Sequence, residues 1–156
     1  LKLSVQDVVR CPLYTARVIK NVSQNPSPDW MKKRLEISGI RPISLIVDIT
    51  NYVLLEMGQP LHAFDASLIE SKTIDIRSAK KKDVFTTLDG VKRHCDENTL
   101  LITDGKKGVA LAGIMGGENS EISDKSSSTL ATRALMESSS ICMKLSAYDK
   151  LSSGLI

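Results

Sequence analysis

The sequence predicts an α+β fold: a mixed, mostly antiparallel β core flanked by several short helices. Three observations predict it. Apolar residues recur at helical spacing before residue 60, strand-like segments flank two Asp-Gly dipeptides after residue 80, and no apolar run reaches the roughly 18 residues that span a membrane. A chain of 156 residues fits one domain, so we expect a single unit over residues 1–156.

The composition excludes several classes of protein. Hydrophobic residues make up 42% of the chain and charged residues 25%, which are ordinary globular values. The first ten residues lack the apolar centre of a signal peptide, and we expect a cytoplasmic location. Three cysteines outside any C-x-x-C spacing favour reduced thiols over a disulfide framework or a zinc site; they are Cys11, Cys95 and Cys142. With two histidines and no metal-binding spacing, no metal site is indicated.

The charge pattern is mildly basic, with a net charge of +3. Small cationic clusters, such as Lys32-Lys33-Arg34, are more typical of a solvated face than of a continuous track for a polyanion. A domain that touches only the end of a nucleic acid would need no more than such clusters.

The elements before residue 40 are a strand and a helix. Residues 14–22 alternate apolar and polar side chains, which predicts a half-buried strand. Ser27, Pro28 and Asp29 predict a helix start with a cap, a proline at the first helical position and a carboxylate at the positive end of the dipole. We expect the helix over residues 28–38 to end at Gly39, and its buried side chains to be Met31, Leu35 and Trp30.

The segment 47–65, VDITNYVLLEMGQPLHAFD, combines a helical period, a turn and one of the two histidines. Its expected apolar stripe comprises Ile46, Ile49, Val53 and Met57. Asn51 lies off the stripe, and Gly58 is placed to end the helix. Pro60 turns the chain, and His62 follows in an extended segment.

The rest of the chain predicts mostly strands. Asp65 is expected to cap a second, shorter helix. Asp89-Gly90 predicts a tight type I′ hairpin, and Asp104-Gly105 predicts a slightly longer one. The expected strands lie over residues 73–78, 85–88, 91–93, 100–103, 108–111 and 129–136, with a glycine-rich turn over 113–118 and a helix over 141–151.

Few residues carry chemistry on their own. His62 alone is more often a structural histidine than a catalyst, and Glu137 alone is an exposed carboxylate at the end of a strand. No G-x-S-x-G nucleophile elbow is present. Four aspartates fit caps and turns better than a metal cluster: Asp48, Asp65, Asp89 and Asp104.

Four blocks in fixed order nevertheless resemble a known family. The blocks read GIRPISLIVDITNYVLLEMGQPLHAFD, FTTLDG, LLITDG and ALAGIMGGENSEIS. Together they are similar to the B3/B4 (editing) region of the bacterial phenylalanyl-tRNA synthetase beta subunit. The resemblance implies a B3/B4-like fragment of a longer beta subunit, which hydrolyses tyrosine wrongly attached to phenylalanine tRNA. It further implies, as partners, the tRNA(Phe) acceptor end and the synthetase alpha subunit. No cofactor is implied for this domain, since ATP and magnesium serve aminoacylation elsewhere in the enzyme.

The resemblance also implies site residues. The implied catalytic residues are His62, Asn51 and Thr50, and the implied substrate-binding residues are Glu137, Arg41, Pro60, Gly116 and Gly117. In this reading Glu137 accepts the phenolic proton of tyrosine, and the amides of the two glycines are candidate donors to the oxyanion. His62 either accepts a proton from water or orients the ester.

The C-terminal end departs from the family pattern. The last segment of the chain reads MESSSICMKLSAYDKLSSGLI and contains Glu137 and Gly154-Leu155, as the family pattern does. Most of the basic helix that family members have here is replaced, and the sequence ends before their Thr-x-Ala-Ser segment. This departure puts the pocket wall in question, so the activity of the isolated fragment stays open. Two alternatives stay open: a non-catalytic tRNA-docking or scaffold module of the synthetase, and a free-standing relative that clears another mischarged amino acid. The absence of an initial methionine argues against the second.

Overall fold

The computed structural model describes residues 1–23, 25–81 and 83–136. It confirms the α+β class. In chain order, the strands are β1 (Lys2–Val5), β2 (Leu13–Lys20), β3 (His62–Asp65), β4 (Thr73–Ser78), β5 (Val84–Thr86), β6 (Lys92–His94), β7 (Leu100–Thr103), β8 (Gly108–Leu111), β9 (Met115–Gly116) and β10 (Ser128–Leu135). The helices are α1 (Asp29–Ile37) and α2 (Leu45–Met57), and 3₁₀ turns occupy Ala66–Leu68 and Glu118–Ser120.

The described residues form two compact units. Unit 1 contains Leu1–Tyr14, Glu70–Asn119 and the described residues from 134 onward, and unit 2 contains Thr15–Ile69 and Ser120–Arg133. The single domain expected from the sequence stays a prediction. The helix expected over residues 141–151, together with Glu137, lies outside the described residues. Among the described helices, none has the length and apolar run needed to cross a membrane.

Unit 1 is built on a five-stranded sheet in the order β1-β4-β7-β8-β9. β1 pairs with β4 in parallel, and the remaining pairs are antiparallel, so the sheet is mixed as expected. β7 and β8 have the predicted bounds, because Asp104 closes their loop by accepting hydrogen bonds from the amides of Lys106 and Lys107, both 2.9 Å long. Buried aliphatic side chains form its core, among them Ile74, Ile76, Leu100, Ile102 and Val109.

The β5–β6 hairpin of unit 1 differs from the predicted type I′ turn. Gly90 has a φ of 75°, but Asp89 does not have the positive φ that this turn requires. The pairing ends at Thr86 and Lys92, which leaves a five-residue loop. The reason is that the side chains of Thr87 and Asp89 hold this loop: the Thr87 hydroxyl donates to Asp89, and the Asp89 carboxylate accepts from the Val91 amide (3.2 Å).

Unit 2 combines a three-stranded sheet, in the order β2-β10-β3, with the two α-helices. β10 and β3 are antiparallel, with Thr132 opposite His62 and Leu130 opposite Phe64. β2 is less buried than the sequence predicts: Val18 is 40% exposed and Ile19 is 45% exposed, because β2 is an edge strand of this sheet.

Helix α1 confirms part of its prediction. Met31 and Leu35 are buried, and Gly39, with a φ of 79°, follows the end of the helix. Trp30, however, is 51% exposed, which contradicts its predicted burial. Ser27 does not cap α1, because its hydroxyl donates to the buried carboxylate of Asp48 instead.

Helix α2 ends where predicted, since Gly58 adopts a φ of 65° and its amide donates to the Leu54 carbonyl (2.9 Å). The predicted apolar stripe is wrong in part: Ile46 is buried, but Ile49 and Met57 are 41% and 72% exposed. The buried residues of this helix are Ile46 and Asp48. A helix with apolar residues on most sides gives no clear period, so spacing alone could not identify the covered face.

Candidate functional site

The residues predicted to form the site fall into both units. Arg41, Thr50, Asn51, Pro60 and His62 belong to unit 2. Gly116 and Gly117 belong to unit 1, and Glu137 lies outside the described residues. Unit 2 therefore holds most of the candidate site residues, and the two glycines belong to unit 1.

His62 begins strand β3, where the sequence predicts an extended segment. Its ring meets Phe64 edge-on, with the ring centroids 4.5 Å apart and an interplanar angle of 68°. The Thr132 hydroxyl on the neighbouring strand donates to the His62 carbonyl (3.2 Å). Both contacts fix the position of the histidine, one through its ring and one through its backbone.

The electrostatic state of His62 follows from its surroundings. Burial lowers the pKa of His62 from the usual 6.5 to about 4. Near pH 7 its imidazole is therefore neutral, with one ring nitrogen that donates a hydrogen bond and one that accepts. Neither ring nitrogen bonds to any residue in the described part of the chain, so both are available to a ligand or water.

Helix α2 carries the other two predicted catalytic residues and packs against β3. The Thr50 hydroxyl donates back to the Val47 carbonyl (2.7 Å), so its proton is used within the helix while its lone pairs still accept. Asn51 is half-buried, and its side-chain amide makes no hydrogen bond to another described residue. Unit 2 thus brings a free amide and a neutral imidazole onto adjacent elements.

Arg41 and Pro60 flank helix α2 along the chain, and both are exposed. Arg41 forms no ion pair with any described residue, which leaves its guanidinium free to bind an anion. Pro60 lies between the Gly58 that ends α2 and the His62 that begins β3. Its ring limits the backbone of this short connection.

A buried pair that the sequence did not reveal holds the Arg41 segment. Asp48, 1% exposed, accepts from the Ser27 hydroxyl and from the Ile43 amide (2.8 Å). The Asp48 carboxylate therefore ties the stretch just after Arg41 to the first turns of α2. Asp48 lies within α2 and not at a cap or turn, which corrects that expectation. Its partner Ser27 lies 21 residues earlier and leaves no local signal.

A second buried carboxylate holds the far end of β3. Asp65 caps the following 3₁₀ turn, as predicted, by accepting from the Ser67 amide (2.8 Å). It also accepts from the hydroxyls of Ser67 (2.6 Å) and Ser126 (2.5 Å). Burial acts to raise the pKa of Asp65, but the hydrogen bonds from Ser126 and Ser67 outweigh it, and the pKa lies below its usual value.

The paired glycines of unit 1 serve their sheet. The Gly117 amide donates to the Val109 carbonyl (2.8 Å), so it is not a free donor to an oxyanion, which corrects that part of the expectation. A Cβ atom on Gly117 would lie 2.6 Å from Cζ of the buried Phe85. The turn itself is made at Gly113, whose φ is 70°, and Gly116 is buried in β9, where its carbonyl accepts from the Leu88 amide (3.1 Å).

Side chains of the kinds that bind metals are dispersed in the described ranges 1–23, 25–81 and 83–136. No group of three or more histidine, cysteine, aspartate or glutamate side chains there is arranged to hold an ion. Cys11 and Cys95 are buried thiols that are not joined in a disulfide, as the sequence predicts, and Cys142 lies outside these ranges.

Comparison with known proteins gives the family. A model of the B3/4 domain family matches residues 10–153. The phenylalanine–tRNA ligase beta subunit of Geobacter sulfurreducens is 53% identical over 137 residues, covering 88% of this chain and 17% of that subunit. The beta subunit of Nitratidesulfovibrio vulgaris is 47% identical over 141 residues, covering 90% of this chain and 18% of that subunit.

A solved structure shows the same fold. The N-terminal fragment of the phenylalanyl-tRNA synthetase beta subunit from Pyrococcus horikoshii matches with a TM-score of 0.62 and 11% identity, over 89% of this chain and 44% of that fragment. The chain spans about a sixth of the length of the curated relatives it matches. The chain therefore belongs to the B3/4 domain family, and its resemblance to the phenylalanine–tRNA ligase beta subunit is confirmed.

Proposed function

We propose that this chain is the editing part of a cytoplasmic phenylalanine–tRNA ligase beta subunit, and that it hydrolyses tyrosine wrongly attached to tRNA(Phe). The observation that carries the proposal is the neutral, unbonded imidazole of His62 on a strand packed against the helix that bears Asn51. The partners would be the acceptor end of tRNA(Phe) and the alpha subunit of the synthetase. ATP and magnesium would serve aminoacylation elsewhere in the enzyme.

Hydrolysis of an aminoacyl ester needs a positioned water and donors aimed at the developing oxyanion. It needs no covalent nucleophile, because the ester is already labile. A neutral His62 can accept a hydrogen bond or a proton from that water. With a pKa of about 4, it is a weak base at neutral pH, so its orienting role should exceed its proton transfer. The free amide of Asn51 and the lone pairs of Thr50 are the groups proposed to hold the water or the terminal ribose.

Selection of tyrosine over phenylalanine is assigned to Glu137. A carboxylate that accepts the phenolic hydroxyl would be left desolvated and unpaired by phenylalanine, which costs about 1 to 3 kcal/mol or more. Arg41 is proposed to bind phosphate or ribose at the tRNA end, since its guanidinium is exposed and unpaired within the described residues. Pro60 and Gly116 keep, in this proposal, the substrate-binding roles that the resemblance implies. Gly117 would act through packing, because its amide already belongs to the sheet.

The test uses the full-length beta subunit assembled in its enzyme and measures release of tyrosine from mischarged tRNA(Phe). We expect His62→Ala to slow release by about 10-fold or more, which is less than the roughly 10² to 10⁴ of a full acid–base group because the role of His62 is mainly to orient. Asn51→Ala should also slow it. His94→Ala is the matched control, because His94 is the only other histidine and lies exposed on β6. Tyrosine release that is unchanged in both site variants would contradict the proposal.

One observation favours the alternative of a non-catalytic tRNA-docking or scaffold module. The Gly117 amide and the Thr50 hydroxyl proton, two groups expected to serve the reaction, are already bonded within the protein. This alternative predicts salt-sensitive tRNA binding without any tyrosine release, even in the assembled enzyme.

A further inference from the structure

Helices α1 and α2 of unit 2 present an exposed surface on which aromatic, apolar and cationic side chains alternate. Trp30 is 51% exposed, Ile37 77% and Leu55 46%. Lys33 follows Trp30 by three residues and precedes Ile37 by four, so it shares their side of α1. The α1/α2 patch is defined by Trp30, Lys33, Arg34, Ile37, Tyr52 and Leu55.

Arg34 is held in place by two aromatic rings. Its guanidinium carbon lies 5.4 Å from the centroid of the Trp30 ring and 5.9 Å from that of Tyr52. Its Nη1 donates to the Tyr52 hydroxyl (2.6 Å), and the two rings meet edge-on with centroids 5.2 Å apart. These contacts fix the orientation of the guanidinium without neutralising its charge.

The charge of the α1/α2 patch has no internal partner. Neither Arg34 nor Lys33 forms an ion pair with a carboxylate among the described residues. A guanidinium has five N–H donors, and the bond to Tyr52 uses one of them. An oriented arginine with unused donors beside a free lysine is suited to bind a phosphate.

A groove of about 370 Å³ adjoins Arg34 and gives room for more than a phosphate. Its walls include Ile37, Leu55 and Tyr52, which offer apolar and aromatic surface to a flat ring. Glu56 lies on its rim and accepts from the Tyr52 hydroxyl (3.2 Å) through one carboxylate oxygen. Its other oxygen can accept a hydrogen bond from a ribose hydroxyl.

We propose that the α1/α2 patch binds a single strand of RNA, with a phosphate on Arg34 and Lys33 and an unpaired base stacked on Trp30 beside the groove. Exposed aromatic rings interleaved with unpaired cations are what single-stranded nucleic acids bind, whereas a protein helix needs a longer apolar face. The identity of the strand rests on the proposed function, which makes it the single-stranded 3′ end of the tRNA. The patch adds an anchoring surface to the groups assigned above to hydrolysis.

The experiment measures the affinity of the full-length assembled enzyme for uncharged tRNA(Phe) transcript over a range of salt concentrations. Trp30→Ala should weaken binding by about 5-fold or more, the size of a lost stacking contact. Arg34→Gln should weaken binding and lower the slope of log K against log salt by about 0.7 to 1, the loss of one phosphate contact. Arg34→Lys, which keeps the charge, should keep the slope.

Arg17→Gln is the matched control, since Arg17 is an exposed arginine of the same unit on β2 and its loss changes the net charge equally. It should leave RNA affinity close to wild type. Thermal unfolding of each variant checks its fold, and if Trp30→Ala does not fold, Arg34→Gln carries the test alone. Unchanged affinity and slope in Arg34→Gln would overturn the proposal, and so would weakened subunit assembly with RNA affinity intact, which would identify a protein interface.

Tyrosine release by His62→Ala, measured in parallel, separates this inference from the proposed function. If His62→Ala still releases tyrosine while Arg34→Gln binds RNA more weakly, the hydrolytic role of His62 is refuted and the RNA contact is supported. If His62→Ala no longer releases tyrosine while Arg34→Gln binds RNA as well as wild type, hydrolysis by the site is supported and the RNA contact is overturned.

Discussion

His62 should make the stability of this chain depend on pH. Its pKa is about 4 in the folded state because burial disfavours the charged ring, and near 6.5 when the chain is unfolded. Between these values the unfolded chain binds a proton that the folded chain does not. The free energy of unfolding contributed by His62 is therefore fully present above pH 6.5, falls as the pH is lowered, and levels off below about pH 4.

The size of this effect follows from the shift. A pKa of His62 lowered from 6.5 to about 4 reduces the free energy of unfolding by about 3 kcal/mol between pH 7 and pH 4. Urea unfolding at several pH values measures it in wild type and in His62→Gln, which keeps a polar side chain but cannot titrate. We expect the variant to lose about 3 kcal/mol less than wild type over this range.

The pKa of His62 can also be read directly. The chain has two histidines, so in a His94→Gln variant the remaining imidazole signal in an NMR titration belongs to His62. A midpoint near pH 4 supports the account. A midpoint near 6.5, or identical pH profiles for wild type and His62→Gln, would show that the imidazole is solvated and refute the reasoning.

Two further predictions concern packing and capping. Gly117→Ala should lower the free energy of unfolding by about 1 to 3 kcal/mol, because its Cβ would lie 2.6 Å from Phe85 Cζ. Equilibrium unfolding measures this loss, and adding Phe85→Leu should recover part of it. A Gly117→Ala variant as stable as wild type would contradict the assigned packing. Asp65→Ala should lower the free energy of unfolding by about 2 kcal/mol or more, because it removes the acceptor shared by Ser67 and Ser126. The control Ser67→Ala should lower it by less, and equal losses would count against Asp65 as the shared acceptor.

Elements fixed by neighbouring residues could be predicted from the sequence. The β7–β8 hairpin has its predicted bounds because Asp104 closes the loop through amides two and three residues away. Gly58 ends α2 because a left-handed residue suits that position. Asp65 caps its 3₁₀ turn through the amide of Ser67. In each case the deciding contact spans at most a few residues.

Features decided by distant contacts could not be predicted. Trp30 is an apolar residue next to the buried Met31, but it contacts Arg34 and Tyr52 on the exposed side of α1 instead of the core. Ser27 leaves its expected capping position for a carboxylate 21 residues later in the chain. Asp89-Gly90 does not form a type I′ turn because Thr87 pairs with Gly117 and bonds the Asp89 carboxylate.

The candidate site shows the same division. Local pattern predicts His62 in an extended segment after a helix that carries Thr50 and Asn51, and the structure has them there. The depressed pKa of His62 depends on the burial of its ring in the folded chain, which no local pattern reports. The use of the Gly117 amide within the sheet depends on its pairing with Val109. The roles proposed for the site residues therefore rest on the family resemblance, whereas their hydrogen bonds and pKa values depend on the folded structure.

The most direct measurement compares release of tyrosine and of phenylalanine from the same tRNA(Phe) by the full-length assembled enzyme. We expect tyrosine to leave much faster, and Glu137→Ala to slow tyrosine release while leaving phenylalanine release unchanged. Glu118→Ala, an acid in the 3₁₀ turn after the glycines, should keep the wild-type preference. Equal release of the two amino acids by wild type, or an undiminished preference in Glu137→Ala, would contradict this expectation.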